Sequence, residues 1–137
     1  MISTGILLKG NVARIVTLSG TRKKHEMIAK KINKLELPKF PTKDDVETFV
    51  QAFNAHCRDN SVDVVVINKR ATTGQGAGGA ATFRTEGIFL ATSRCPVDLV
   101  HPATIGATDR KDGELKESRP DTQDLSKAYD FAFEALE

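Results

Sequence analysis

The 137-residue chain contains no tryptophan, one tyrosine, two cysteines and five prolines. Without tryptophan, and with aromatics at only 6%, it offers few side chains on which bases or sugars could stack. The cysteines, Cys57 and Cys95, stand 38 positions apart. Neither belongs to a close pair of the kind that holds zinc. They are expected to be buried, reduced thiols rather than a disulfide framework or a metal site. No apolar run approaches the roughly 20 residues needed to span a bilayer. Met1-Ile2-Ser3-Thr4-Gly5 does not begin a charged segment followed by a long apolar one, so the expectation is a cytoplasmic protein with no membrane contact. The net charge of +2 is too small to select a partner by itself.

What is present is an ordinary globular composition, 39% hydrophobic and 28% charged. The length suits one domain, here residues 1–137, able to bury a core without a metal or disulfide staple. The charge is unevenly placed. Between Thr21 and Lys43 the bases Arg22, Lys23, Lys24, Lys30, Lys31, Lys34, Lys39 and Lys43 face only Glu26 and Glu36, whereas acids outnumber bases from Asp109 onward. Such a lysine-rich stretch can protect a sheet edge from aggregation or attract a polyanion.

Gly5–Leu8, the turn Lys9-Gly10-Asn11, and Val12–Leu18 read as a β-hairpin. His25–Leu37, ending at Pro38, is expected to be a third antiparallel strand. Thr42 is a helix N-cap, with Asp44 and Asp45 in the first turn, where the helix dipole favours negative charge. Val46, Phe49, Val50, Phe53 and Cys57 then form one helical face, which Asp59-Asn60-Ser61 ends. Val62–Ile67 lacks alternation and reads as a buried, parallel central strand. Ala80–Arg94 is compatible with a second helix through Phe83, Ile88, Leu90 and Ala91, stopped by Pro96. Val97–Val100 is a short strand and His101–Ile105 a turn or short helix. The polar stretch 109–121 is expected to be a mobile loop. The last helix starts near Thr122 and carries Leu125, Ala128, Tyr129, Ala132 and Leu136 on one face. The order β-β-β-α-β-α-β-loop-α implies a five-stranded mixed sheet, its first three strands antiparallel, with helices on its faces.

Gly5-Ile6-Leu7-Leu8-Lys9-Gly10-Asn11 with Val12-Ala13-Arg14-Ile15-Val16 resembles the opening hairpin of RuvC-like resolvases. Val64-Val65-Val66-Ile67-Asn68-Lys69-Arg70 resembles their fourth strand and its exit. Gly78-Gly79-Ala80, Phe83-Arg84 with Glu86, and His101-Pro102-Ala103-Thr104-Ile105 resemble a family of small bacterial proteins of unknown function. The resemblance implies a ribonuclease H-like fold. Nucleases of that fold hold two divalent ions on carboxylates of the first strand, the fourth-strand exit and the last helix. Here Leu7 or Leu8 stands at the first position, and Asn68, Lys69 and Arg70 at the second. Only the last helix keeps acids, Asp124, Asp130 and Glu134. Asp130 lies about 100° from the centre of its helix's apolar stripe, so it reads as solvated. It and Glu86 are the carboxylates that could be remnants of a site. No metal, cofactor or two-metal nuclease activity is expected.

Gly74-Gln75-Gly76-Ala77-Gly78-Gly79 satisfies the spacing of a phosphate-cradling loop between strand and helix. The acid that would hold a ribose about 20 residues on is missing, since Leu99, Val100 and His101 stand there. A P-loop's Lys-Ser/Thr is missing too, because Gly79 precedes Ala80-Ala81. His101 is a proton-donor candidate or a structural residue. Three readings stay open. One is a non-catalytic domain contacting nucleic acid through Lys69, Arg70 and the loop glycines Gly74, Gly76, Gly78 and Gly79. The others are a small anion- or nucleotide-binding protein using that loop, and an interaction module, with a homodimer as one form.

Overall fold

The computed structural model describes residues 1–71 and 79–137. The opening hairpin is β1 (Ile2–Lys9) and β2 (Val12–Gly20), paired antiparallel from Ile2↔Ser19 to Lys9↔Val12. Gly10 closes it at φ +60°, a conformation that costs glycine little.

The third strand is interrupted. Two pieces, β3 (His25–Ile28) and β4 (Lys34–Glu36), both pair antiparallel with β2, so the sheet has six strands rather than the five expected. The break falls at Ala29, whose φ is +52°. The chain turns there through an Ile32 N–H to Ala29 carbonyl bond and rejoins β2 where Ile15 N–H donates to the Asn33 carbonyl. Lys30 and Lys31 sit exposed on this bulge.

Helix α1 (Lys43–Asp59) opens with a capping box. The Asp45 N–H donates to Thr42 Oγ1, and the Thr42 N–H to Asp45 Oδ2, satisfying two orphan amides. Then follow β5 (Val64–Asn68), α2 (Ala80–Thr92), β6 (Val97–Val100), α3 (Pro102–Asp112) and α4 (Gln123–Glu134). β5 runs parallel to both β1 and β6, giving the order β3-β2-β1-β5-β6 with β4 also on β2.

The strand period of two divides the core between the sheet's faces. Ile6, Leu8, Ile15, Val65 and Ile67 pack with Phe49, Phe53 and Cys57 of α1 and Phe89 of α2. Leu7, Val16, Leu18 and Val66 pack with Ile105 of α3 and Tyr129, Ala132 and Phe133 of α4. Burial pushes the Cys57 thiol up to about 12, and neighbouring Cys95 adds to the effect. Both cysteines are free. α4 crosses β1 so closely that a Cβ on Gly5 would lie 2.0 Å from the Ala128 carbonyl oxygen.

α2 departs from its expected face. Leu90 is half exposed, and the buried residues are Thr82, Thr85 and Phe89. Two hydroxyls dock α2 on the hairpin turn, and Phe89 packs on Phe49 and Phe53. Gly10 N–H donates to Thr82 Oγ1 at 2.9 Å, and Thr85 Oγ1 donates to the Gly10 carbonyl at 3.2 Å. The stretch 109–121, expected as a loop, continues α3 to Asp112 and forms a 3-10 turn over Gly113–Leu115. Lys116 then turns inward. Its side chain is 1% exposed, with Nζ 2.6 Å from Asp109 Oδ1 and 2.9 Å from Asp130 Oδ1 and over the Phe133 ring. No helix among the described residues is long and apolar enough to cross a membrane.

Candidate functional site

The three parallel strands β1, β5 and β6 all deliver their carboxyl ends to one side of the sheet. β1 is the branch point: its hairpin partner lies on one side and the crossover strand β5 on the other. Open α/β sheets bind ligands outside the strand ends at such a switch point. A cleft of about 820 Å³ lies there.

Leu7, Ile105 and Phe131 supply its apolar lining, with Pro102 at the start of α3. Its polar groups come from the strand exits, Asn68, Lys69, Arg70 and His101, and from α4, Lys127 and Asp130. Lys127, Asp130 and Phe131 are spaced i, i+3, i+4, which puts them on one helix face.

Asn68 and Arg70 are held by the sheet itself. Register pairing of β1 with β5 ends at Ile6↔Ile67. Beyond it the Leu8 N–H donates to Asn68 Oδ1 at 3.2 Å, and an Arg70 terminal nitrogen donates to the Leu8 carbonyl at 2.6 Å. Two side chains thus continue the ladder. Arg70 Nε is buried without a partner among the described residues. One lone pair of the Asn68 oxygen is taken by Leu8, and its NH₂ is the donor it can offer a ligand.

His101 N-caps α3: the Ala103 N–H donates to Nδ1 at 3.1 Å. An accepting Nδ1 puts the proton of the neutral ring on Nε2. His101 thus caps the helix and also lines the cleft.

Asp130 is not solvated as expected. Its side chain is 15% exposed, and Oδ1 accepts from Lys116 and from Arg119 at 2.6 Å. Two cations therefore balance its charge. Lys69 and Lys127 are exposed and have no carboxylate within 4.0 Å among the described residues. The cleft consequently presents donors and positive charge, a field suited to an anion.

A two-metal centre, which needs several converging carboxylates, does not fit these residues: Leu7 binds no cation, Lys69 and Lys127 would repel one, and Asp130 is the one lining carboxylate among the described residues. Among the described residues no cluster of three or more His, Cys, Asp or Glu could hold a metal.

Other expected site residues are scattered. Glu86 lies half-buried on α2, which packs against the opposite face from α4, and it does not line the cleft. The two remnant-carboxylate candidates are thus not brought together. Gly74, Gly76 and Gly78 lie outside the described residues. Gly79 caps α2 with φ −76° and ψ 170°, so its backbone does not demand glycine, and a Cβ there would meet nothing within 4 Å among the described residues. Sequence reasoning missed Lys127. The available signal was its position three residues before Asp130.

The model of a family described as a protein of unknown function (DUF3010) matches residues 1–135. No curated protein matches by sequence. RuvC of Thermus thermophilus, solved in complex with a Holliday junction substrate, superposes with TM-score 0.73 at 16% identity, covering 98% of this chain and 91% of that one. A second Thermus thermophilus RuvC structure gives 0.72 at 15% identity, covering 98% and 92%. The Fowlpox virus resolvase, solved with Holliday junction DNA, gives 0.52 at 12%, covering 98% and 97%. At these identities the likeness is one of fold, and the fold is ribonuclease H-like, as the sequence resemblance implied.

Proposed function

Because the chain belongs to the DUF3010 family and has a resolvase-like fold, its cleft can be read against that fold's chemistry, and we propose that it binds the phosphate backbone of nucleic acid without cutting it. One observation carries this reading. Where a two-metal nuclease needs converging carboxylates, the strand ends carry Leu7, Asn68, Lys69 and Arg70 and α4 carries Lys127, and Asp130, the one carboxylate among the described lining residues, is held by Lys116 and Arg119. A site that would use metal ions to neutralise a phosphodiester instead has lysines to do so. Cationic side chains bind a backbone by displacing its counterions, but they supply no activated water for hydrolysis. The Thermus thermophilus and Fowlpox virus proteins were solved with Holliday junctions, which makes DNA the first ligand to try.

The binding should be sequence-tolerant, since phosphate contacts fix position and carry no base information. The test is fluorescence anisotropy with single- and double-stranded oligonucleotides, alongside a gel assay with Mg²⁺ or Mn²⁺. The expected result is micromolar binding at low salt, weakened alike for all sequences by Lys69→Ala with Lys127→Ala, and intact substrate on the gel. Absence of binding at low salt would overturn the reading. So would cleavage that disappears with Asp130→Asn.

A further inference from the structure

The cations occupy only part of the cleft, and the rest of its wall is apolar. Leu7, Ile105 and Phe131 line it, each less than a tenth exposed, and Pro102 extends that surface. Its volume of about 820 Å³ falls within the roughly 300–1,000 Å³ typical of sites for whole small molecules. A phosphate passing over Lys69 and Lys127 would leave this floor empty and wet. The chemistry that satisfies both parts is an anion with a flat, weakly hydrated body, its charge on the lysines and its faces against the apolar wall.

We infer that the cleft takes one unpaired nucleotide, with its phosphate on Lys69 and Lys127 and its base on the floor of Leu7, Ile105 and Phe131. This rests on the backbone-binding reading above and adds a substrate class to it. A paired base is stacked and cannot enter a side pocket unless it leaves the helix. The cleft therefore favours single strands, strand ends and gaps over continuous duplex. The groups available to the base edge are the Asn68 amide NH₂ and the His101 Nε2–H. Both donate when the ring is neutral, and carbonyl and ring-nitrogen acceptors occur on every base. Preference among bases should be slight.

The same chemistry has two sources, a free mononucleotide or a nucleotide within a strand. Anisotropy separates them. A labelled single-stranded oligonucleotide is compared with a strand of equal length made wholly of abasic units, and adenosine monophosphate is compared with ribose 5-phosphate as competitor. The abasic strand should bind at least about fivefold more weakly, the low end of what one stacked base contributes. Competition by the mononucleotide but not by the sugar phosphate identifies the free nucleotide as a ligand. Failure of both competitors, with the abasic deficit intact, identifies the strand. Equal binding of abasic and parent strands overturns the inference. Lys69→Ala with Lys127→Ala keeps the two readings apart. If the double change weakens both strands and they bind equally, backbone binding stands and the nucleotide pocket fails. If it weakens neither, both fail.

Discussion

Replacing Lys116 by Met tests whether the buried cation holds the cleft's carboxylate in place. The Lys116 side chain is 1% exposed, its ammonium bonded to Asp109 and Asp130. Removing one member of a buried ion pair typically costs about 3–5 kcal/mol, because the other charge is left uncompensated. Two facts put this case at the low end. Asp130 keeps Arg119, and Asp109 is 42% exposed, so water can solvate it. Met retains much of the packing against Phe133. The expected loss is about 3 kcal/mol, or roughly 10 °C in Tm for a domain of this size, read by urea and thermal unfolding. Adding Asp130→Asn to Lys116→Met should recover part of the loss, since the buried charge is then gone from both partners. A loss below about 1 kcal/mol, the range of surface pairs, would refute the buried-triad account, as would simple additivity of the two changes.

Gly5→Ala should destabilise by about 3 kcal/mol, because the new Cβ meets α4 backbone at 2.0 and 2.4 Å and overpacking costs roughly 1–3 kcal/mol or more. Gly87→Ala, in α2 with nothing near its Cβ, should instead stabilise by roughly 0.5–1 kcal/mol. Urea unfolding of both checks the pair, and a neutral Gly5→Ala would mean that α4 does not cross there. Phe53→Ala should cost about 3–5 kcal/mol, since its side chain is 2% exposed; a Tm unchanged within two degrees would remove Phe53 from the core. Burial holds the His56 pKa below its ordinary value, against an opposing pull from Asp59. Its Nδ1 faces the Asn60 NH₂ and its Nε2 the Thr17 hydroxyl, so the neutral ring is the form that fits. The unfolded chain then binds the proton more readily. Stability is full above about pH 6.5, the unfolded value, and falls as pH drops through it toward the lowered folded value. His56→Gln should flatten that slope in melts between pH 5 and 7, and an unchanged slope would assign it to other groups.

The elements visible in the sequence were those governed by a strong local period. Val46, Phe49 and Phe53 repeat at helical spacing behind a Thr42 cap, and that helix lies where expected. The last helix follows for the same reason, the hairpin from its Lys9-Gly10-Asn11 turn, and β5 from an unbroken apolar run. α3 was unreadable beyond His101–Ile105 because its buried side chains are only Ile105 and Thr108, too sparse to make a stripe. α2 misled because its buried face combines Phe89 with two threonines, Thr82 and Thr85. The broken third strand depends on a left-handed Ala29, which no residue preference announces. Of the site, Lys69 and Arg70 could be named from their place after the central strand. Asp130 could not be placed, because a residue at the border of an apolar stripe is neither core nor solvent when a cleft opens there. Its partner Lys116 lies 14 residues away in a segment with no period at all.

The salt dependence of oligonucleotide binding tests the central claim most directly. Lys69 and Lys127 are exposed and unpaired among the described residues, so Lys69→Ala with Lys127→Ala should leave the fold intact, as circular dichroism and Tm can verify. With one phosphate shared by the two lysines, the log–log salt slope of the double variant should be shallower than that of the parent by about 0.7 on single strands and about 0.9 on duplex. An unchanged slope, or binding that does not respond to salt in the parent, would contradict the account.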